Sequence, residues 1–188
     1  MISLMKLFAK LVTGAAVAAA TICAPAMAED MGIYALGSLG VSQTDVDAAS
    51  VDESFNFELG LGYDFCNDWR TEVTWERNYL QSFTVLGTTV NSDASADSYL
   101  FSVYRDFSNN SKITPFIGAG LGSTSVNDDD NSWDSAFTYA LSAGASYEAS
   151  EKVDLYTKVQ VLYATPSTAN VDFDSNAVSA KVGVRYSF

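Results

Sequence analysis

Glu72 and Glu76 lie four residues apart, with Arg70 two residues before the first. Paired carboxylates can do general acid–base work, and an arginine beside them can hold or neutralise their charge. On a strand, residues two and four apart share a face. This trio therefore forms one row and reads as ion-pair partners rather than as an acid and a base. Asp128-Asp129-Asp130-Asn131 supplies oxygen ligands that suit Ca²⁺, but it lacks the spacing and the glycine of an EF-hand loop. Asp128, Asp129 and Asp130 are the candidates for a divalent cation, while no resident metal or cofactor is expected. The chain contains no histidine, so serine–histidine catalysis is impossible and no enzyme activity is expected.

The elements that must position these groups have a period of two. In the last eleven residues, Val178, Ala180, Val182, Val184, Tyr186 and Phe188 alternate with Ser179, Lys181, Gly183, Arg185 and Ser187. Such a segment is a β-strand with unlike faces, about long enough to cross a bilayer at a tilt. The pattern recurs over residues 33–41, 55–65, 69–79, 98–107, 113–122, 137–147 and 153–163. Alternation puts Glu58, Asp64, Arg70, Glu72, Glu76, Asp106, Glu148, Asp154, Lys158, Lys181 and Arg185 on the polar face. Short links at Asn67-Asp68, 108–111 and 149–152 alternate with long ones at 42–54, 80–96, 123–136 and 164–177. Eight strands so connected predict an all-β, up-and-down antiparallel barrel with both chain ends on the short-turn side.

Three features predict that the apolar face points outwards, into a membrane. It is crowded with Phe, Tyr and Trp, for which an eight-stranded interior has little room. The polar face carries Gly60, Gly62, Gly118, Gly120, Gly122, Gly144 and Gly183. Glycine weakens a strand and gains nothing on a solvent face, but in a narrow lumen it makes space for large side chains of other strands. Aromatics also cluster at the strand ends. Phe65, Trp69, Phe107, Tyr147, Tyr186 and Phe188 fall near the turns, and Tyr79, Tyr99, Phe137 and Tyr163 near the loops. Two such girdles mark a transmembrane barrel. In a side-chain-filled lumen the charges Glu58, Arg70, Glu72, Glu76, Lys158, Lys181 and Arg185 must be paired. They are expected to brace and plug the barrel, the alternative being a gated ion path.

Residues 1–28 are expected to be a cleaved signal peptide, leaving 29–188 as the barrel domain. Lys6 and Lys10 precede an apolar run ending at Cys23, and Ala26-Met27-Ala28 forms a small-x-small cleavage site. Removal leaves eight cations against twenty-three acids, so the formal charge goes from −13 to −15. That excludes nucleic acid as a partner. Cys66 is then the single cysteine, without a disulfide partner. The four long links hold eleven acidic residues and no lysine or arginine. They read as a solvated acidic surface, with a basic extracellular partner as the functional alternative.

Ile113-Thr114-Pro115-Phe116-Ile117-Gly118-Ala119-Gly120-Leu121-Gly122, Tyr104-Arg105-Asp106-Phe107 and the terminal Tyr186-Ser187-Phe188 resemble the OmpA-like transmembrane domain and the OmpX, Ail and opacity-protein barrels. The resemblance covers the whole mature chain and its motifs identify a superfamily rather than a member. It implies a monomeric barrel among the lipids and lipopolysaccharide of a Gram-negative outer membrane. It also implies insertion by the barrel-assembly machinery, which reads Tyr186 and Phe188 as an assembly signal. OmpA proper continues into a peptidoglycan-binding domain, whereas this chain stops at Phe188, so that activity is not expected. A surface role in adhesion, host contact or envelope integrity follows, with a small passive diffusion pore as the rival.

Overall fold

The computed structural model describes residues 32–46, 49–65, 67–85, 88–128, 131–132, 135–165 and 175–188. Side chains are described at 32–43, 54–65, 67–79, 95–125, 135–165 and 176–188. The strands are β1 (Ile33–Val46), β2 (Ala49–Asp64), β3 (Trp69–Val85), β4 (Thr88–Asp106), β5 (Ile113–Asp128), β6 (Asn131–Ser132), β7 (Ala136–Ser150), β8 (Val153–Thr165) and β9 (Ser175–Ser187). All pairings are antiparallel between sequence neighbours, except that β5 also pairs with β7, and β1 pairs with β9 to close the ring. The two-residue β6 only folds back on the end of β5. The wall is thus an eight-stranded closed barrel, which leaves no unpaired backbone in a membrane.

Several boundaries differ from the sequence expectation, among them the 123–136 link, into which β5 runs as far as Asp128. The stretches 42–54 and 80–96 are not loops. β1 and β2 stay paired to Val46↔Ala49, and β3 and β4 to Val85↔Thr88. Their polar, small residues hide the alternation by which a strand is recognised, yet the ladder continues because backbone pairing needs no apolar face. The 149–152 turn is likewise shorter, since β7 runs to Ser150 with an irregularity between Glu148 and Ser150. Residues 1–28, Cys66, and the side chains of Asp128, Asp129 and Asp130 lie outside the described residues.

The barrel is apolar outside and polar inside. Leu61 and Val73 are each 61% exposed, and Leu59, Phe101, Ile117, Leu121 and Leu141 are also exposed. Trp69, Phe65, Phe107 and Tyr147 ring the turn end, and Tyr79, Tyr99 and Phe137 the loop end. Phe101 interrupts the aliphatic band between them, opposite Val73 and Leu121. Two arginines also face outwards, each on a carboxylate beside a tryptophan. Arg77 Nε and Nη2 donate to Asp97 at 2.7 Å, which also accepts from Trp75 Nε1 at 3.1 Å. Arg105 Nη2 lies 3.1 Å from Asp68 in the first turn, its guanidinium over Trp69. In the sequence Asp97 stands at the edge of the second long link, 80–96. Its role on the outer wall appears only when β4 pairs Asp97 with Arg77.

Inside, four aromatic rings lie across glycines of the neighbouring strand. Tyr34 faces Gly62, Tyr104 faces Gly118, Phe116 faces Gly144 and Tyr156 faces Gly183 in direct register. A Cβ at Gly62 would stand 2.1 Å from the Tyr34 ring, and one at Gly118 2.2 Å from Tyr104. Gly62, Gly118, Gly144 and Gly183 are therefore the space these rings occupy. Gly118→Ala is expected to lower the unfolding free energy of the refolded barrel by about 1–3 kcal/mol, the usual effect of overpacking. Gly37→Ala, whose Cβ would come no nearer than 3.4 Å to Leu59 on the outer face, is expected to stay within about 0.5 kcal/mol of the parent. Urea titration followed by tryptophan fluorescence measures both, and equal effects would contradict this packing.

Candidate functional site: the charged lumen

Glu58 on β2 stands directly opposite Glu76 on β3, and Lys158 on β8 directly opposite Lys181 on β9. Like charges facing one another across a ladder repel. Here each pair is answered by the other, across the lumen from the far side of β1. Lys158 Nζ donates to Glu58 Oε1 at 2.7 Å. Lys181 Nζ donates to Glu58 Oε2 at 2.9 Å, to Glu76 Oε2 at 2.5 Å and to Gln160 Oε1 at 2.6 Å. The four ionisable side chains are at most 3% exposed and their formal charges cancel. Gly40 makes room for the lysine stem, since a Cβ there would be 2.8 Å from Lys181 Cγ.

A second cluster lies towards the turns. Arg70 binds Glu72 through Nη1 and Asp106 through Nε, the latter at 2.9 Å. The Tyr34 hydroxyl donates to Glu72 at 2.9 Å and accepts from Arg70 Nη1 at 3.3 Å. Arg185 Nε is 3.6 Å from Glu72, an ion pair beyond hydrogen-bond reach. Aromatic faces complete its surroundings. The Arg185 guanidinium carbon is 4.6 Å from the Tyr156 ring centre and 5.2 Å from Phe116, and that of Arg70 is 4.1 Å from Tyr104. Such contacts gain strength when shielded from water.

The seven lumen charges singled out in the sequence thus form two groups, Glu58, Glu76, Lys158 and Lys181 in one, Arg70, Glu72 and Arg185 in the other, which Asp106 joins through Arg70. Glu148, by contrast, is exposed at the turn end. A cavity of about 530 Å³ opens there, walled by Asp64, Asp106, Glu148 and Asp154 and reaching Tyr34, Arg70 and Arg185. None of the four charges of the first group lines it. On the loop side, Leu100, Ala140 and Leu162 pack together. Ser42 donates to Asn78 at 3.0 Å, and Asn78 to Glu76 at 3.3 Å.

Reasoning from residue types passed over Tyr34, Tyr104, Phe116 and Tyr156 as members of this site. The signal was present: each is an aromatic at a polar-face position. The glycine opposite each one becomes visible once the register is known. Tyr186 and Phe188 sit at the closing seam, their rings 5.6 Å apart, and Phe188 N donates to Ile33 O at 3.1 Å. Among the described residues, no group of three acidic or cysteine side chains could hold a metal ion.

The family described as outer membrane protein β-barrel domain matches residues 14–188. No curated protein sequence matches the chain. Among solved structures, Neisserial surface protein A superposes with a TM-score of 0.67 at 23% identity, covering 84% of this chain and 97% of that one. OprG of Pseudomonas aeruginosa gives 0.56 at 13% identity, covering 84% and 96%. At these identities the likeness concerns the fold.

Removing one partner of a buried pair leaves an uncompensated charge. Lys158→Met is therefore expected to lower the unfolding free energy by about 3–5 kcal/mol. Adding Glu58→Gln leaves the neutral Lys181–Glu76 pair and is expected to recover most of that loss. Lys112→Ala, in an exposed turn, serves as the control, with a change within about 0.5 kcal/mol. Urea midpoints of the refolded barrels measure all three. Equal small effects at Lys158 and Lys112 would mean a wet, screened lumen.

Proposed function

Since the chain belongs to the family of outer membrane protein β-barrel domains and resides in the Gram-negative outer membrane, we propose that it is a filled, non-conducting barrel that presents acidic hairpins outside the cell. The carrying observation is the quartet of Glu58, Glu76, Lys158 and Lys181, which joins β2 and β3 to β8 and β9, strands they do not pair with, across the lumen at 2.5–2.9 Å. Packed rings and a second ion cluster flank it towards the turns, and the turn-side cavity does not reach it. Ions have no polar path through such an interior that does not break a buried pair. Catalysis has no support either: the chain has no histidine, and the lumen carboxylates of Glu58, Glu72 and Glu76 are taken up by cations.

In this reading the signal peptide, residues 1–28, is removed after export. The barrel sits as a monomer among outer-membrane lipid and lipopolysaccharide, with the Arg77 and Arg105 pairs at its two aromatic rims. Tyr186 and Phe188 serve the barrel-assembly machinery. Deleting residues 186–188 is expected to abolish the heat-modifiable barrel in the outer-membrane fraction, because the β1–β9 seam loses its aromatic end. A normal barrel from the deletion would overturn that role.

The test of function is conductance in planar bilayers. The refolded protein is expected to be electrically silent, and steady single channels would move the diffusion-pore reading ahead. Orientation is tested separately. Protease added to intact cells is expected to cut within residues 128–134 and to spare Asn67-Asp68, and cleavage confined to the short turns would invert the topology.

A further inference from the structure

The turn-side cavity of about 530 Å³ falls within the size range of small-molecule sites. Its inner end holds two arginines with unused donors. Arg70 is 2% and Arg185 6% exposed, and both line the cavity. Glu72 Oε1 accepts from Arg70 Nη1 and from the Tyr34 hydroxyl, while Arg185 Nε stands 3.6 Å from it. One carboxylate oxygen thus serves three donors. Arg70 Nη2 and Arg185 Nε have no hydrogen-bond partner. A buried guanidinium N–H without an acceptor is costly. A carboxylate, with two oxygens in one plane, is the acceptor that matches its geometry. The Tyr156 and Phe116 rings fix the Arg185 guanidinium in place.

The mouth has the opposite character. Arg185 on β9 pairs with Asp154 on β8, and Asp154 with Glu148 on β7. Burial falls along this row: Arg185 is buried, Asp154 half-buried and Glu148 exposed. All three line the cavity. Glu148 and Asp154 are like charges facing across a ladder, which repel, and a cation held between them relieves both. A plain anion would meet these acids before it reached the arginines. A plain cation would leave the arginine donors unused. The cavity therefore suits a molecule with a carboxylate at one end and an ammonium at the other. Two strand spacings put Glu148 about 10 Å from Arg185. A free amino acid carries both charges on one carbon and cannot span that row, whereas three extended residues reach about 10 Å.

We propose that the turn-side cavity is a binding site for short peptides with free ends, about three residues long at the spacing above. The C-terminal carboxylate lies on Arg185 and Arg70, and the terminal ammonium lies between Asp154 and Glu148. Thr114, Ser146 and Ser150 also line the cavity and suit the polar peptide groups in between. The site goes beyond the surface reading above. It requires neither a silent barrel nor a given orientation of the loops, so its test is separate from both.

The full mature protein, refolded in lipid nanodiscs at low salt, is titrated with trialanine by calorimetry. Saturable one-to-one binding is expected. The C-terminal amide of trialanine, its N-acetyl form and free alanine are each expected to bind about tenfold or more weakly, the usual effect of losing a charge-assisted hydrogen bond. Glu148→Gln, at an exposed position, is expected to shrink the difference between trialanine and its N-acetyl form and to keep the difference from the amide. Arg185→Lys retains the charge but loses the planar fork, and is expected to weaken trialanine without changing the amide. If that variant does not refold, the blocked peptides and Glu148→Gln decide. Absence of trialanine binding would overturn the proposal. So would equal binding of the amide, which means the arginines take no carboxylate, or equal binding of the N-acetyl form, which means a plain anion site. Alanine binding as tightly as trialanine would overturn the assignment to peptides.

Discussion

Two carboxylates side by side on one hairpin and two ammonium groups side by side on another have no stable arrangement until the barrel closes. Glu58 and Glu76 face each other across β2 and β3, and Lys158 and Lys181 across β8 and β9. Each hairpin taken alone sets like charges against each other. The ring of strands sets the two hairpins on either side of β1 around a narrow lumen, where Lys181 reaches both acids and Lys158 reaches one. Backbone ladders join neighbours only. The quartet joins strands that do not pair with each other, β2 and β3 with β8 and β9, so it ties closure of the ring to the identity of the interior.

The remaining interior follows from the same narrowness. An eight-stranded lumen must be filled by side chains, and buried charge must be paired and hydrogen-bonded. Large rings fill it where the neighbouring strand offers a glycine, as with Tyr104 across Gly118 and Tyr156 across Gly183. Those rings also present faces to Arg70 and Arg185. Packing and electrostatics are therefore one construction: remove a ring and an arginine loses its surroundings. The outer face follows the opposite rule, with Leu61, Val73 and Leu121 turned to lipid and the two outward arginines neutralised by Asp97 and Asp68.

Above the membrane the constraint is relaxed. No lipid requires every backbone group to be paired there, and the strands stop at different heights. β3 and β4 continue where β5 has already turned back. The same polar, acidic composition that conceals these extensions in the sequence suits them to water.

Side-chain alternation has a period of two, and a barrel wall repeats it in every strand. That is why the strand count, the antiparallel order, the inner position of Glu58, Arg70, Glu72, Glu76, Lys158, Lys181 and Arg185, and the need for lumen glycines were all legible from residues 33–188. Partner choice was not. It depends on stagger between strands distant in sequence, which no local pattern encodes. Only the closed structure separates the quartet from the Arg70–Glu72–Arg185 group, brings Tyr34 and Gln160 into them, and pairs Asp97 with Arg77 on the wall. The hairpin extensions were hidden for a related reason. Where neither face meets lipid or lumen, composition no longer alternates, and only the pairing of Val85 with Thr88 and of Val46 with Ala49 shows that the strands go on.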